Sequence, residues 1–147
     1  MTETPTLSHV DDQGQARMVD ISHKASTART AVAACRVLVG AEALHLIREN
    51  EIRKGDVLTV SNVAGVLGAK QTSRLLPLCH DVVLQNVEIE FELDEASGAV
   101  DIRAITKTVG PTGVEMEALT AVTVAALTVY DMCKSVTKEI EITAVRL

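Results

Sequence analysis

Between Ala118 and Tyr130 the chain reads ALTAVTVAALTVY and carries no charge. PTG at 111–113 precedes this stretch, and from Val114 to Val136 the sequence predicts one long helix. A helix lying on a sheet normally keeps a polar face for water. This one offers only Thr120, Thr123 and Thr128. Its outer side therefore needs a cover, and a second copy of the chain is the simplest one. The alternative is a third layer built from the chain's own first helix. Phe91 and Tyr130 are the only aromatic residues, so the apolar mass is Ala, Val, Leu and Ile, whose small volumes let elements approach closely. The same shortage removes the stacking platforms that single-stranded nucleic acid requires, and a net charge of -6 also argues against a nucleic-acid partner.

The rest of the 147 residues fit one domain around that helix. Residues 1–16 are polar and lack an apolar period, which predicts a flexible N-terminal arm before a single α+β domain over 17–147. ARMVDIS and ARTAVAACRVLVG read as two short strands, the second being compatible with helix on periodicity alone. AEALHLIREN is a short amphipathic helix, and residues 57–76 form a buried helix stopped by Pro77. Val87–Leu93 alternates apolar and acidic residues, turns at DEASG and continues as AVDIRAITKTV, an antiparallel hairpin. KEIEITAVRL closes the chain as a last strand. The order β-β-α-α-β-β-α-β points to an α+β fold, a ferredoxin-like sandwich with an antiparallel sheet and helices on one face. Cys35, Cys79 and Cys133 are odd in number and widely spaced, as expected of reduced thiols, and neither a signal peptide nor a membrane span is read, so a cytoplasmic location is expected.

Charge gathers at helix ends. Glu115 and Glu117 precede the long helix, Asp131 and Lys134 follow it, and Lys70, Arg74, Cys79, His80 and Asp81 cluster where the preceding helix exits. Taken singly, the glutamates read as caps and Asp131 with Lys134 as a solvated surface pair. Cys79, His80 and Asp81 are adjacent in sequence, a poor geometry for one metal ion, and no CxxC or HxxxH spacing accompanies them. No phosphate-binding loop, dinucleotide fingerprint or GxSxG motif is present, which leaves lysine, histidine and carboxylate chemistry. Glu117 and Asp131 lie fourteen residues apart. On one helix they point the same way but about 21 Å apart, so a site using both needs two chains, with the start of one helix meeting the end of its mate.

Three stretches, MVDIS at 18–22, KGDVLTVSNVAGVLGAKQTSRLLPLCH at 54–80 and TGVEMEALTAVTVAALTVYDMCK at 112–134, resemble the cyclic pyranopterin monophosphate synthase family, also known as the MoaC family. The likeness runs in one register from about Leu7 to Leu147, and blocks such as LLPLCH, TGVEMEALTA and YDMCK are unusual in composition. It implies a ferredoxin-like subunit in a hexamer, a trimer of dimers with sites at the dimer interface. It also implies the reaction: a cyclised dihydro-GTP rearranges to cyclic pyranopterin monophosphate with loss of pyrophosphate, with no metal, redox step or bound cofactor.

By match to the family's motifs, Asp20, Lys54, His80, Asp131 and Lys134 carry over as catalytic residues, and Leu78, Cys79, His80, Glu115, Met116 and Glu117 as substrate-binding residues. Arg29, Lys70 and Arg74 are expected phosphate contacts. Lys54 and Lys134 are the leading acid-base candidates, on the expectation that an ammonium desolvated among other cations loses its proton near neutral pH. Asp131 is expected to act as a base or to tune Lys134, Asp20 to orient a lysine, and Thr112, Gly113 and Met116 to supply shape and backbone contacts. The family commonly continues past its final strand with a Gly- and Lys-containing tail, whereas this sequence stops at VRL; any phosphate contact from such a tail is expected to be missing here. Two alternatives remain from other classes: a non-catalytic purine-nucleotide-binding regulatory module, and an interaction scaffold built on the apolar helices.

Overall fold

A computed structural model describes residues 10, 11 and 13–147. Its elements are β1 (Thr27–Leu38), α1 (Ala41–Arg48), α2 (Val57–Lys70), α3 (Thr72–Leu75), β2 (Asn86–Asp94), β3 (Ala99–Gly110), α4 (Glu115–Cys133) and β4 (Glu141–Arg146). The four strands form one antiparallel sheet in the order β2-β3-β1-β4. With helices inserted after β1 and β3, this is the ferredoxin-like arrangement expected from the alternation of patterns.

Each strand shows why it faces the way it does. Along β1, Ala31, Ala33, Cys35 and Val37 are buried against the helices, while Thr30 and Val32 on the other face are exposed. Along β3 the buried set is Val100, Ile102, Ala104, Thr106 and Thr108. The opposite face carries Arg36 against Asp101 and Asp94, and Arg103 against Glu90. That face can remain wet, as antiparallel sheets allow.

α4 lies across β1 and β3 with α2 beside it. Many of its residues are β-branched, a composition of modest intrinsic helicity, so packing holds it. Ala118, Ala121, Val122, Ala125, Ala126 and Val129 are fully buried. α2 reaches it through small residues: a methyl added at Gly68 would sit 2.8 Å from the Val124 side chain, and one at Gly65 would sit 3.0 Å from the Ala121 carbonyl oxygen. Those glycines set the separation of the two helices, and any larger residue would push them apart. By length and composition α4 could cross a membrane, yet half of its apolar window is buried in this layer, which makes it a core helix.

The threonines of α4 are less polar than their names suggest. The Thr120, Thr123 and Thr128 hydroxyls each donate to a carbonyl four residues earlier, at 2.7 to 2.8 Å. Their donors are thus consumed inside the helix, and the outer strip, which includes Leu127, presents mostly carbon. The neighbour that partly covers α4 is α2, not the first helix α1, so the third layer considered from sequence does not form.

ARMVDIS, expected as a strand, is not one: residues 17–21 have no regular structure and a turn follows. The segment is held instead by His80, whose Nε2 donates to the Val19 carbonyl at 2.7 Å. The expected helix over 57–76 is real but divides at Gln71 into α2 and the short α3. Within the expected N-terminal arm, residues 1–9 and 12 lie outside the described residues. Val10 and Ala16 form an isolated antiparallel bridge around a turn in which Asp11 Oδ1 accepts from the Gln13 and Gln15 amides.

Candidate active site

The chain gathers its reactive side chains at the two ends of α4. At the C-terminal end, Lys54 arrives from the turn before α2, and that turn is fixed by Asp56, which caps α2 by accepting from the Thr59 amide at 3.0 Å. Lys54 Nζ donates to Asp131 Oδ2 at 3.0 Å and to the Asp131 carbonyl at 2.8 Å. Lys134 Nζ approaches the other carboxylate oxygen, Oδ1, at 2.7 Å. One carboxylate therefore bridges two ammonium groups that are 77 and three residues away in sequence. The hydrogen bonds from Lys134 and Lys54 hold the Asp131 carboxyl below its usual range, and the same contact raises Lys134. The sequence expectation of a lysine pushed toward neutrality is reversed in the isolated chain: a carboxylate, not another cation, is the nearest neighbour, and Lys134 is held as an ammonium. A concavity of about 510 Å³ adjoins the cluster, lined by Lys54, Tyr130, Lys134, Ser135 and Lys138.

At the N-terminal end, the 76–80 segment and the 112–113 loop enclose a cleft of about 500 Å³ with Glu115, Met116 and Glu117. The loop is anchored by Thr106, whose hydroxyl donates to the Val114 carbonyl at 3.0 Å. Leu78, Cys79, His80, Thr112, Gly113 and the three α4 residues all line this cleft, so these substrate-binding expectations fall together in space. Glu117 is only 5% exposed, and burial, with the charge of Glu115 nearby, pushes its carboxyl up. Burial raises the Cys79 thiol too, and the Glu117 charge adds to it, which argues against a thiolate nucleophile there. Because Nε2 of His80 donates to Val19, a neutral His80 keeps Nδ1 as an acceptor.

The expected phosphate contacts are distributed around this second end. Lys70 closes α2, and Arg74 lies in α3 just before the 76–80 segment; both are exposed, and neither forms a salt bridge among the described residues. Arg29 stands on β1 opposite Thr108, and its Nε is buried without a hydrogen-bond partner among the described residues. Such an orphaned donor suits an incoming acceptor. Asp20 contacts no lysine among the described residues. Its carboxylate accepts from the Ser22 amide at 2.9 Å, and this bond holds its pKa below the usual value. It does adjoin Val19, and so lies near His80.

The two ends do not meet in one chain, since α4 is helical from Glu115 through Cys133 and separates them by its length. Sequence reasoning missed Tyr130, Ser135 and Lys138 beside the lysine cluster and Leu76, Pro77 and Val82 in the cleft. The step of four from Tyr130 to Lys134 was the available signal for Tyr130, whereas Ser135 and Lys138 lie past the helix end at Cys133, where that spacing no longer applies.

The MoaC family pattern matches residues 18–147, which is most of the chain and both ends of α4. The chain belongs to the MoaC family. A Salinibacter ruber protein named cyclic pyranopterin monophosphate synthase is 57% identical over 147 residues, covering 100% of this chain and 86% of its own length. A Thermoanaerobacter pseudethanolicus protein of the same name is 51% identical, covering 96% of this chain and 89% of its own. Human molybdenum cofactor biosynthesis protein 1 is 50% identical over 96% of this chain, a match that spans 22% of the human protein. In MoaC family terms, the matched region runs from the segment under His80 to the final strand.

Proposed function

We propose that residues 17–147 act as a single catalytic domain in molybdenum cofactor biosynthesis, a lyase that converts a cyclised dihydro-GTP to cyclic pyranopterin monophosphate and pyrophosphate. The observation that carries this reading is the Asp131 carboxylate bridging Lys54 and Lys134, a proton-transfer set with no structural load in the core. Its chemistry agrees with the names of the relatives.

Ring opening and reclosure need a group that gives a proton and a group that takes one. Lys134, held as an ammonium beside Asp131, and Lys54 donate to departing ring heteroatoms, and Asp131, kept ionised, accepts a proton or returns one to the lysines. Glu117, whose carboxyl pKa is raised by burial, faces the purine-derived ring together with His80, where it can give or take a proton. Arg29, Lys70 and Arg74 neutralise the phosphates as pyrophosphate leaves. No metal or bound cofactor takes part in this reading.

A homodimer with antiparallel α4 helices brings the Glu117 end of one chain to the Asp131 end of the other, and three such dimers make a hexamer. The carbon-rich outer strip of α4 supports that packing. We place the enzyme in the cytoplasm, where its thiols stay reduced. The decisive experiment incubates the protein with cyclised dihydro-GTP and follows pyrophosphate and a pterin made fluorescent by oxidation. Turnover is the expected result. Tight binding without turnover by an intact oligomer would make it a nucleotide-binding regulatory module instead.

A further inference from the structure

The lysine cluster at the end of α4 has a third cation that the acid-base set does not use. Lys54 and Lys134 both spend their charge on Asp131. Lys138 lines the same concavity, is exposed, and forms no salt bridge among the described residues. Three lysines thus line a space of about 510 Å³, within the size range of small-molecule sites, and only two of them are paired with Asp131. Tyr130, whose ring packs against the core, and Ser135 complete its wall.

The position of Lys138 is fixed by the chain. After α4 the backbone turns, with the Val136 amide donating to the Cys133 carbonyl at 2.9 Å and the Glu139 amide to Thr137 Oγ1 at 3.2 Å, before Ile140 is buried as β4 begins. Lys138 is therefore carried on a turn tied at both ends, four residues beyond Lys134. Lys138 thus offers the concavity an ammonium that is unpaired with a carboxylate among the described residues, while Lys54 and Lys134 are both paired with Asp131.

We propose that Lys138 is an anion-binding residue of this site, holding phosphate oxygens of the substrate and of the pyrophosphate product while Lys54, Asp131 and Lys134 handle protons. This rests on the enzymatic reading above and adds a binding residue to it. Lys138 takes no part in proton transfer, so its removal weakens binding and leaves the chemical step in place.

The test is calorimetric titration of the whole protein with inorganic pyrophosphate, comparing wild type with Lys138→Ala, Lys138→Arg and Lys107→Ala. Lys107 is exposed on β3, so its loss removes one charge elsewhere. Lys138→Ala is expected to raise the Kd about tenfold, the scale of one charge-assisted hydrogen bond, with Lys138→Arg close to wild type and Lys107→Ala unchanged. With cyclised dihydro-GTP, Lys138→Ala should raise KM by a similar factor and leave kcat within about threefold. An unchanged Kd in Lys138→Ala, or an equal weakening in Lys107→Ala, overturns the proposal. Should wild type bind pyrophosphate in this Lys138-dependent manner yet fail to turn the substrate over, the anion site stands and the enzymatic reading falls.

Discussion

The two ends of α4 push the pKa values of their acidic residues in opposite directions. Glu117, in the first turn, lies in an apolar cleft, where burial raises its pKa; Asp131, near the last turn, stands in water between two lysines that lower it. The helix dipole favours the reverse at both ends, since it stabilises negative charge at an N-terminus and opposes it at a C-terminus. Its reach is about 0.3–1 kcal/mol near a surface. Desolvation at one end and two direct ion contacts at the other outweigh it. Two carboxyl groups driven apart in this way are what a site needs to hold an acid and a base at one pH.

The sharpest way to break the comparison is to remove an ammonium. Lys54→Ala or Lys134→Ala should lower turnover of cyclised dihydro-GTP by a factor on the order of 10³, while melting temperature and oligomer size stay near wild type, since both side chains are exposed at element ends. Near-full activity in either variant would remove its catalytic role, and loss of the oligomer would make the role structural.

Subunit mixing asks whether the two ends work together. Glu117→Ala and Asp131→Ala, each inactive alone, should regain about a quarter of wild-type sites when refolded as an equal mixture, because each mixed dimer rebuilds one intact site. No recovery despite demonstrated mixing would mean that the two ends serve separate purposes.

The smallest effect sharpens the comparison through pH. A raised folded-state pKa makes Glu117 contribute stability that is present at low pH and lost as pH rises from its ordinary value of 4.5 through the folded one. The depressed pKa of Asp131 contributes stability above its ordinary value of 3.8, lost as pH falls through the folded one. Melting curves across pH 3 to 7 (roughly the carboxylate range) should therefore shift in opposite directions: relative to wild type, Glu117→Gln gains as pH rises and Asp131→Asn loses. Shifts of the same sign would end the claim that the two ends differ.

Much of this was legible in the residues. The uncharged stretch marked α4 to within a few positions, and the alternation at 87–93 and 99–109 gave the β2–β3 hairpin together with the face it buries. MVDIS failed because alternation records an apolar face but not a free sheet edge, and this segment is held by a histidine side chain instead. The protonation of Lys134 failed for a related reason. Sequence placed cations near one another, but only the fold shows that Lys54 reaches Asp131 across 77 residues and leaves each ammonium next to a carboxylate. Lys138 was passed over because its turn gives no periodic signal beyond the end of the helix.

The pairing of β1 with β3 runs from Leu38 opposite Ala99 out to Thr27 opposite Gly110, joining segments roughly sixty to eighty residues apart. The centre of the sheet cannot close until most of the chain has been synthesised, and that closure has to be made against a large loop entropy. α4 packs on this β1–β3 platform, and β4 pairs along the outer edge of β1. The lysine cluster draws on the turn ahead of α2, the last turn of α4 and the segment after it, so a chain interrupted before α4 can pair β1 with β3 but cannot bring Lys54 to Asp131.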